Sequence, residues 1–180
     1  MKTQLPERIF LIGFMGCGKT TAGRLLAQLI NYQFIDLDEL IVQKKGMSVA
    51  TLFENEGEEN FRLLEKQVLA EVFEMRQVVV ATGGGAPCFF DNMEQMNKYG
   101  VPVYIKLTPK ALLSRLRNAK EQRPLLKNKS EEELLEYITG MLQKREPFYQ
   151  KAYIKIEGIG LTASDILKVI QSRPGRPGVI

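Results

Sequence analysis

Histidine is absent from the 180-residue sequence, and cysteine occurs only twice, at Cys17 and Cys88. Without histidine, the chain can form neither a Ser-His-Asp nor a Cys-His catalytic centre, and it has no imidazole ligand for zinc. Two cysteines are too few for a disulfide scaffold or for a zinc site built from cysteine alone, and they favour a reducing, cytoplasmic location. An enzyme of this composition must therefore rely on carboxylates, lysine, arginine, hydroxyls, backbone amides or a hard metal ion.

Long apolar runs and a large charge excess are also missing. No apolar stretch approaches the ~20 residues that span a bilayer, and the first residues lack the apolar core of a signal peptide, so we expect no membrane association. The 25 basic and 21 acidic residues leave a net charge of only +4. Since no basic stripe with interleaved aromatic residues accompanies this charge, we expect a small anionic ligand and no nucleic-acid partner.

Short apolar runs alternate with segments of helical periodicity along the chain. The runs predict five buried strands, at 8–12, 33–35, 77–81, 103–107 and 153–157. The segments between them predict helices at 19–30, 39–45, 48–54, 57–75, 89–99, 109–117, 130–149 and 162–172. Repeated strand–helix alternation predicts a parallel sheet covered on both faces, which is a three-layer α/β/α architecture. The length of 180 residues predicts one domain.

A phosphate-binding loop is the clearest motif. Residues 13–20 read Gly-Phe-Met-Gly-Cys-Gly-Lys-Thr and match the pattern G-x-x-x-x-G-K-[ST] between a predicted strand and a predicted helix. Glycines let the backbone amides curl around phosphate oxygens, and the helix start adds the positive end of its dipole. In this pattern Lys19 reaches the β- and γ-phosphates, and the Thr20 hydroxyl binds Mg²⁺.

A second acid for the metal is expected at the end of a neighbouring buried strand. The strand at 77–81 offers none, because Thr82 and glycines follow it. Asp36 and Asp38 follow the second strand instead, at the edge where open α/β sheets bind ligands. If the segment is extended, both side chains point the same way, and one can hold the metal while the other accepts a proton from an acceptor hydroxyl. The alternative is that both acids only cap the next helix.

Two features predict a pocket for a phosphoryl acceptor. Arg62 and Glu65 are neighbours on a predicted helix, either as a solvated ion pair or as an arginine fork whose rotamer Glu65 fixes for a substrate carboxylate. Gly83, Gly84 and Gly85 follow a strand, and three consecutive glycines indicate a place where the backbone must approach a ligand closely.

Two further arginines have open roles. Arg123 lies in a polar segment predicted to be a loop, and Arg145 lies near the end of the following helix. Such residues are often only solvated. In a phosphoryl-transfer enzyme, a mobile arginine can instead close over the phosphates and stabilise charge in the transition state.

In the combination of these motifs the chain resembles the shikimate kinases, which have the nucleoside-monophosphate-kinase-like phosphate-loop fold. The matching pieces keep their order and are the loop at 13–20, Asp36-x-Asp38, Gly57-Glu58-x-x-Phe61-Arg62-x-x-Glu65, Gly83-Gly84-Gly85, Arg123-Pro124-Leu125-Leu126 and Arg145-x-x-x-Tyr149. The phosphate loop alone is unspecific, whereas the combination is highly specific.

The resemblance implies ATP- and Mg²⁺-dependent transfer of the γ-phosphoryl group to the 3-hydroxyl of shikimate, a step towards chorismate and the aromatic amino acids. It implies a five-stranded sheet in the order 2-3-1-4-5, with a shikimate-binding part at about 37–65 and a lid at about 116–129 of one kinase domain. We expect the protein to be a monomer.

The resemblance also assigns roles to residues. Shikimate contacts come from Asp38, Arg62, Glu65, Gly83, Gly84, Gly85 and Arg145, with Phe53 and Phe61 as pocket walls. Nucleotide contacts come from Gly13, Gly16, Cys17, Gly18, Lys19, Thr20, Thr21 and the lid residue Arg123. Thr20 and Asp36 serve the metal, and Asp38, Lys19 and Arg123 carry the catalysis. In this family an arginine before the lid stacks on adenine; Arg115 and Arg117 both compete for that place, and we favour Arg117.

Two other functions remain as alternatives. Another small-molecule kinase of the same fold, such as a gluconate kinase, shares the phosphate loop but does not need two carboxylate-facing arginines and a glycine triplet. A non-catalytic nucleotide-binding switch predicts nucleotide binding without acceptor-dependent turnover.

Overall fold

A five-stranded parallel sheet in the order β2-β3-β1-β4-β5 forms the centre of the computed structural model, which describes residues 5–118 and 130–173. The strands are β1 (Arg8–Ile12), β2 (Gln33–Asp36), β3 (Val78–Ala81), β4 (Val101–Lys106) and β5 (Ile154–Glu157). This confirms the predicted strand number and order. The strand predicted at 103–107 begins two residues earlier, because Val101 already pairs with Ile9 of β1.

Seven helices cover the sheet within the described residues. They are α1 (Lys19–Ile30), α2 (Leu37–Lys45), α3 (Val49–Val72), α4 (Asn92–Tyr99), α5 (Pro109–Asn118), α6 (Glu131–Tyr149) and α7 (Ala163–Ser172). Helix α3 breaks at Gly57, whose φ of 77° and ψ of 168° are not helical, so the two helices predicted on either side of this residue are present. Helix α4 begins at Asn92, later than predicted, because Phe89 is extended and Phe90 has a φ of 51°; a 3₁₀ turn at Ala86–Cys88 precedes them.

The central strand has a hydrophobic core on each face. All five residues of β1 are buried, as expected for a parallel strand with helices on both sides. Side chains alternate along the strand, so Ile9 and Leu11 enter one core while Phe10 and Ile12 enter the other. The three-layer prediction is therefore confirmed. No helix in the described part of the chain is both long and apolar enough to cross a bilayer.

Side-chain caps fix the start of four of the described helices, α2, α3, α6 and α7; in α3 the cap is the Ser48 hydroxyl, which accepts from the backbone amide of Thr51. Helix α6 begins with a capping box between Ser130 and Glu133, as its sequence predicts, and α7 begins with one between Thr162 and Asp165. In α2, the carboxylate of Asp36 accepts hydrogen bonds from the backbone amides of the first turn. Because Asp36 is also the last residue of β2, this cap places the start of α2 at the carboxyl edge of the sheet.

Candidate active site

The loop after β1 has the backbone that phosphate binding requires. Gly13, Gly16 and Gly18 have φ angles of 142°, 80° and 101°, which L side chains rarely adopt. Lys19 is 8 % exposed, and its ammonium group donates to the carbonyl oxygens of Gly13 and Phe14 at 2.9 and 3.0 Å. The lysine is thus held inside the loop by two backbone carbonyl oxygens.

Helix α5 packs against this loop and carries both candidate adenine-stacking residues, Arg115 and Arg117, whose side chains have different partners. Arg115 donates to the carbonyl oxygen of Cys17 at 3.1 Å, and a methyl group on Gly18 would lie 3.0 Å from its guanidinium. Arg117 instead forms an ion pair with Glu131 at the start of α6, where both side chains are exposed. The structure therefore brings Arg115, and not the favoured Arg117, to the phosphate loop. The predicted lid arginine, Arg123, lies outside the described residues.

Thr20 and Asp36 are in direct contact. The Thr20 hydroxyl donates to Oδ2 of Asp36 at 2.8 Å, while Oδ1 caps α2. Two hard oxygen donors at the phosphate loop suit Mg²⁺, which commonly binds through one or two protein ligands together with phosphates and water. Within 5–118 and 130–173, no group of three or more acids or cysteines that could hold a metal alone is present. The residues therefore fit a nucleotide-bound magnesium ion.

Asp38 lies in the first turn of α2 and not on an extended segment. The prediction that Asp36 and Asp38 lie on one extended segment is therefore wrong, because β2 ends at Asp36 and the helix begins at Leu37. The capping interpretation holds for Asp36, which accepts from the backbone amide of Asp38 at 3.1 Å. The carboxylate of Asp38 reaches a different place, beside the glycine triplet.

Gly83 gives room to two carboxylates. A methyl group on Gly83 would lie 2.8 Å from Oδ1 of Asp38 and 3.0 Å from Oε1 of Glu65. The first distance is shorter than side-chain carbons show and the second is at the tight limit, so at least one carboxylate would have to move. Gly83 is not among the described glycines with positive φ, so the close approach, and not backbone conformation, requires glycine here.

The next two glycines each give room to an arginine. A methyl group on Gly84 would lie 3.1 Å from Nη1 of Arg145, and one on Gly85 would lie 2.5 Å from Nη2 of Arg62. The triplet therefore brings together side chains from α2, α3 and α6. The sequence predicted a close approach between the backbone and a ligand; the groups that approach are the protein's own charged side chains.

Arg62 and Glu65 form a buried ion pair, with Nη1 and Oε2 2.8 Å apart. They are 8 % and 1 % exposed, so this is not a solvated pair. Burial raises the pKa of Glu65 to about 7, and the nearby Asp38 carboxylate adds to that rise, while Arg62 and Arg145 oppose it. A second, exposed carboxylate, Glu58, accepts from Nη2 of Arg62 at 3.3 Å.

Three aromatic rings surround the Arg62 guanidinium. Its central carbon lies 5.5 Å from the ring centroid of Phe53, 5.3 Å from that of Phe61 and 4.3 Å from that of Phe89. The rings of Phe53 and Phe61 also pack on each other, with centroids 4.4 Å apart. The shortest of the three contacts comes from Phe89, to which the sequence analysis assigned no role.

Arg145 approaches the site from α6. Its guanidinium carbon lies 5.5 Å from the ring centroid of Phe14 in the phosphate loop, so Arg145 lies between that loop and Gly84 of the glycine triplet. One turn later on the same helix, the buried Tyr149 donates its hydroxyl to the carbonyl oxygen of Gly84 at 2.5 Å. Helix α6 is therefore tied to the glycine triplet by Tyr149, and burial raises the pKa of this hydroxyl. The motif Arg-x-x-x-Tyr was the available signal for this contact.

Comparisons with known proteins agree with this geometry. The chain matches the family model described as shikimate kinase over residues 15–173. A shikimate kinase from Bacteroides fragilis is 54% identical over 145 residues, which are 81% of this chain and 81% of that protein. The crystal structure of shikimate kinase from Bacteroides thetaiotaomicron has a TM-score of 0.86 and 45% identity, covering 93% of this chain and 96% of that one.

A second solved structure, shikimate kinase from Acinetobacter baumannii in complex with shikimate, has a TM-score of 0.81 and 37% identity, covering 94% of this chain and 93% of that one. These matches do not favour the gluconate kinase or the switch as alternatives. On its sequence and its fold, the chain belongs to the shikimate kinase family.

Proposed function

We propose that the chain transfers the γ-phosphoryl group of ATP to the 3-hydroxyl of shikimate, giving shikimate 3-phosphate and ADP. One observation carries this proposal: Asp38, Arg62 and Arg145 meet at the glycine triplet, next to the phosphate loop. Shikimate has a carboxylate for the two arginines and ring hydroxyls for the aspartate. The site thus offers one group of matching charge or polarity for each end of the acceptor.

The phosphate loop supplies the nucleotide site. The backbone amides at 13–20 and the start of α1 favour the negative phosphates, and Lys19 adds a full positive charge inside the loop. Phosphoryl transfer depends mainly on positioning the reactants and on neutralising charge. The loop amides, the start of α1 and Lys19 do both for the phosphates of ATP. Arg115 is positioned at the same loop, and we assign it the adenine side of the site.

Thr20 and Asp36 are the residues that would hold Mg²⁺, Asp36 through a water molecule. When bound, the ion would neutralise charge on the phosphates. Their 2.8 Å contact keeps the hydroxyl and the carboxylate together at the loop. The cap that Asp36 places on α2 fixes the carboxylate relative to Asp38 two residues later.

Asp38 orients the acceptor hydroxyl and accepts its proton. The hydroxyl oxygen forms a bond to the γ-phosphorus, the bond from that phosphorus to the bridging oxygen breaks, and the electron pair leaves with ADP. The proton of the hydroxyl moves to the Asp38 carboxylate. Arg62 and Arg145 hold the acceptor carboxylate, which aligns the hydroxyl with the bond that breaks.

Two further assignments are predictions of the same proposal. The two free cysteines suit a reducing cytoplasm, and we propose a cytoplasmic location. We also propose that the protein is a monomer.

A coupled ADP-release assay with ATP and Mg²⁺ tests the proposal, with shikimate, gluconate, AMP or no acceptor added. ADP release only with shikimate is expected. Release with gluconate or AMP would contradict the assignment of the acceptor pocket. Release with no acceptor, or none at all despite ATP binding, would contradict the kinase assignment.

A further inference from the structure

The guanidinium of Arg62, which we propose binds a carboxylate, is largely shielded from solvent. Its Nε is buried and has no hydrogen-bond partner among the described residues, although Nη1 pairs with Glu65 and Nη2 with Glu58. A buried donor without a partner costs stability, so other contacts must compensate at this guanidinium. The three aromatic rings over it are the contacts available, and a desolvated cation–π contact is stronger than an exposed one.

We propose that Phe89 is a positioning residue for Arg62, which sets the affinity for the acceptor carboxylate by covering the guanidinium. The proposal rests on the function proposed above. Of the three rings, that of Phe89 is the nearest, at 4.3 Å against 5.3 Å for Phe61 and 5.5 Å for Phe53. It comes from the loop after the glycine triplet and not from α3, so it fixes Arg62 from a second element.

Phe89 is not needed to fill the interior. Phe61 belongs to the buried core and Phe53 packs against it, whereas Phe89 is half-buried and packs against neither of the two hydrophobic clusters. Its described ring contact is with the guanidinium of Arg62. A residue that only stabilised the fold would be expected to pack on the core.

The loop is built to hold this ring in place. Phe89 is extended, while Phe90 has a φ of 51°, a left-handed conformation that is strained for a bulky residue. The exposed ring of Phe90 instead lies against the half-buried Lys66, with the ammonium 5.1 Å from the ring centroid. The side-chain amide of Asn92 donates to the carbonyl oxygen of Ala86 at 2.9 Å. This bond joins the two ends of the segment that contains Phe89 and Phe90.

Kinetics of substitutions at two neighbouring positions, Phe89 and Phe90, separate this role from a structural one. We expect Phe89→Leu, which keeps apolar bulk but removes the ring, to raise KM for shikimate about five- to tenfold. The kcat and KM for ATP are expected to stay within about twofold of wild type. Phe89→Tyr is expected to retain a wild-type KM, and the matched control Phe90→Leu is expected to change none of these constants.

An unchanged KM for shikimate in Phe89→Leu would overturn the proposal. So would a fall in kcat and in ATP affinity as large as the change in KM for shikimate, because it would indicate general damage to the fold. Failure of the proposed function would appear differently, as wild-type protein that does not turn over shikimate. In that case the rate of Arg62 modification by phenylglyoxal, followed by mass spectrometry, still decides. Modification about fivefold faster in Phe89→Leu than in wild type and Phe90→Leu supports the positioning role, and equal rates refute it.

Discussion

Gly85 faces the guanidinium of Arg62 so closely that a methyl group on the glycine would lie 2.5 Å from Nη2 and 2.8 Å from the central carbon. No rotation of the methyl group relieves such a contact, so either the arginine or the loop must move. Because the arginine is buried between aromatic rings and Glu65, its movement would disturb the proposed acceptor site directly.

Gly85→Ala is therefore expected to raise KM for shikimate about tenfold or more, while ATP binding stays near wild type. Steady-state kinetics with each substrate varied in turn checks this. Gly140→Ala in α6 is the control, since nothing lies within 4 Å of a methyl group there. It should stabilise the protein by about 0.5–1 kcal/mol and leave both KM values unchanged. A normal KM in Gly85→Ala would show that Arg62 can relocate without cost.

Asp38→Asn keeps the shape of the side chain but removes the proton acceptor. We expect kcat to fall by about 100-fold or more, because general base catalysis contributes at least that much, while the Kd for ATP changes less than about twofold. Turnover assays and nucleotide titration measure the two quantities. Near-normal turnover would remove Asp38 as the base.

Asp36→Asn separates metal binding from helix capping. Asparagine caps a helix as well as aspartate does, so the midpoint of thermal unfolding should change little. The loss of charge next to Thr20 should raise the Mg²⁺ concentration for half-maximal activity about tenfold. If Asp36 served only as a cap, its asparagine variant would keep the wild-type Mg²⁺ requirement, and only Asp36→Ala would lose stability, by about 1 kcal/mol.

The buried carboxyl group of Glu65 should make the free energy of unfolding depend on pH. Its pKa is raised to about 7 by burial, so between pH 4.5 and 7 the folded chain holds a proton that the unfolded chain has released. The native state then binds more protons, and the free energy of unfolding falls as pH rises through this window, by an amount on the order of 3 kcal/mol.

Urea unfolding at several pH values between 4 and 8 checks this dependence in wild type and Glu65→Gln. The variant should lack the decline between pH 4.5 and 7. Glu39→Gln, which alters an exposed ion pair with Arg24, is the control and should keep it. Identical slopes in wild type and Glu65→Gln would mean that another group controls the titration.

Arg115 and Arg117 form a matched pair for the nucleotide site. Arg115→Met should raise KM for ATP about tenfold, because Arg115 lies on the phosphate loop, whereas Arg117→Met removes only an exposed ion pair with Glu131 and should change it little. Nucleotide titration of both variants measures the difference. The reverse order would place Arg117 on the nucleotide.

The fold could be predicted from sequence because its signals are local. Apolar runs such as Arg8–Ile12 identified the strands, and Ser130 identified the start of α6. The site was harder, since its contacts join distant segments. Arg62 and Phe89 are 27 positions apart. Arg62 lies in α3 and Phe89 in the loop after β3, and the hydrophobic periodicity of a sequence does not predict a contact between two such segments. Asp38 was placed on an extended segment because the sequence alone does not show that α2 starts at Leu37.

The glycine triplet imposes constraints that are pairwise rather than general. A methyl group on Gly83 would displace Asp38 or Glu65, one on Gly84 would crowd Arg145, and one on Gly85 would displace Arg62. In evolutionary terms, each glycine is epistatic with its own charged neighbour. A lineage that lost Arg62 would lose the reason for glycine at position 85 while keeping it at 83, so the three positions would diverge separately as the acceptor specificity changed.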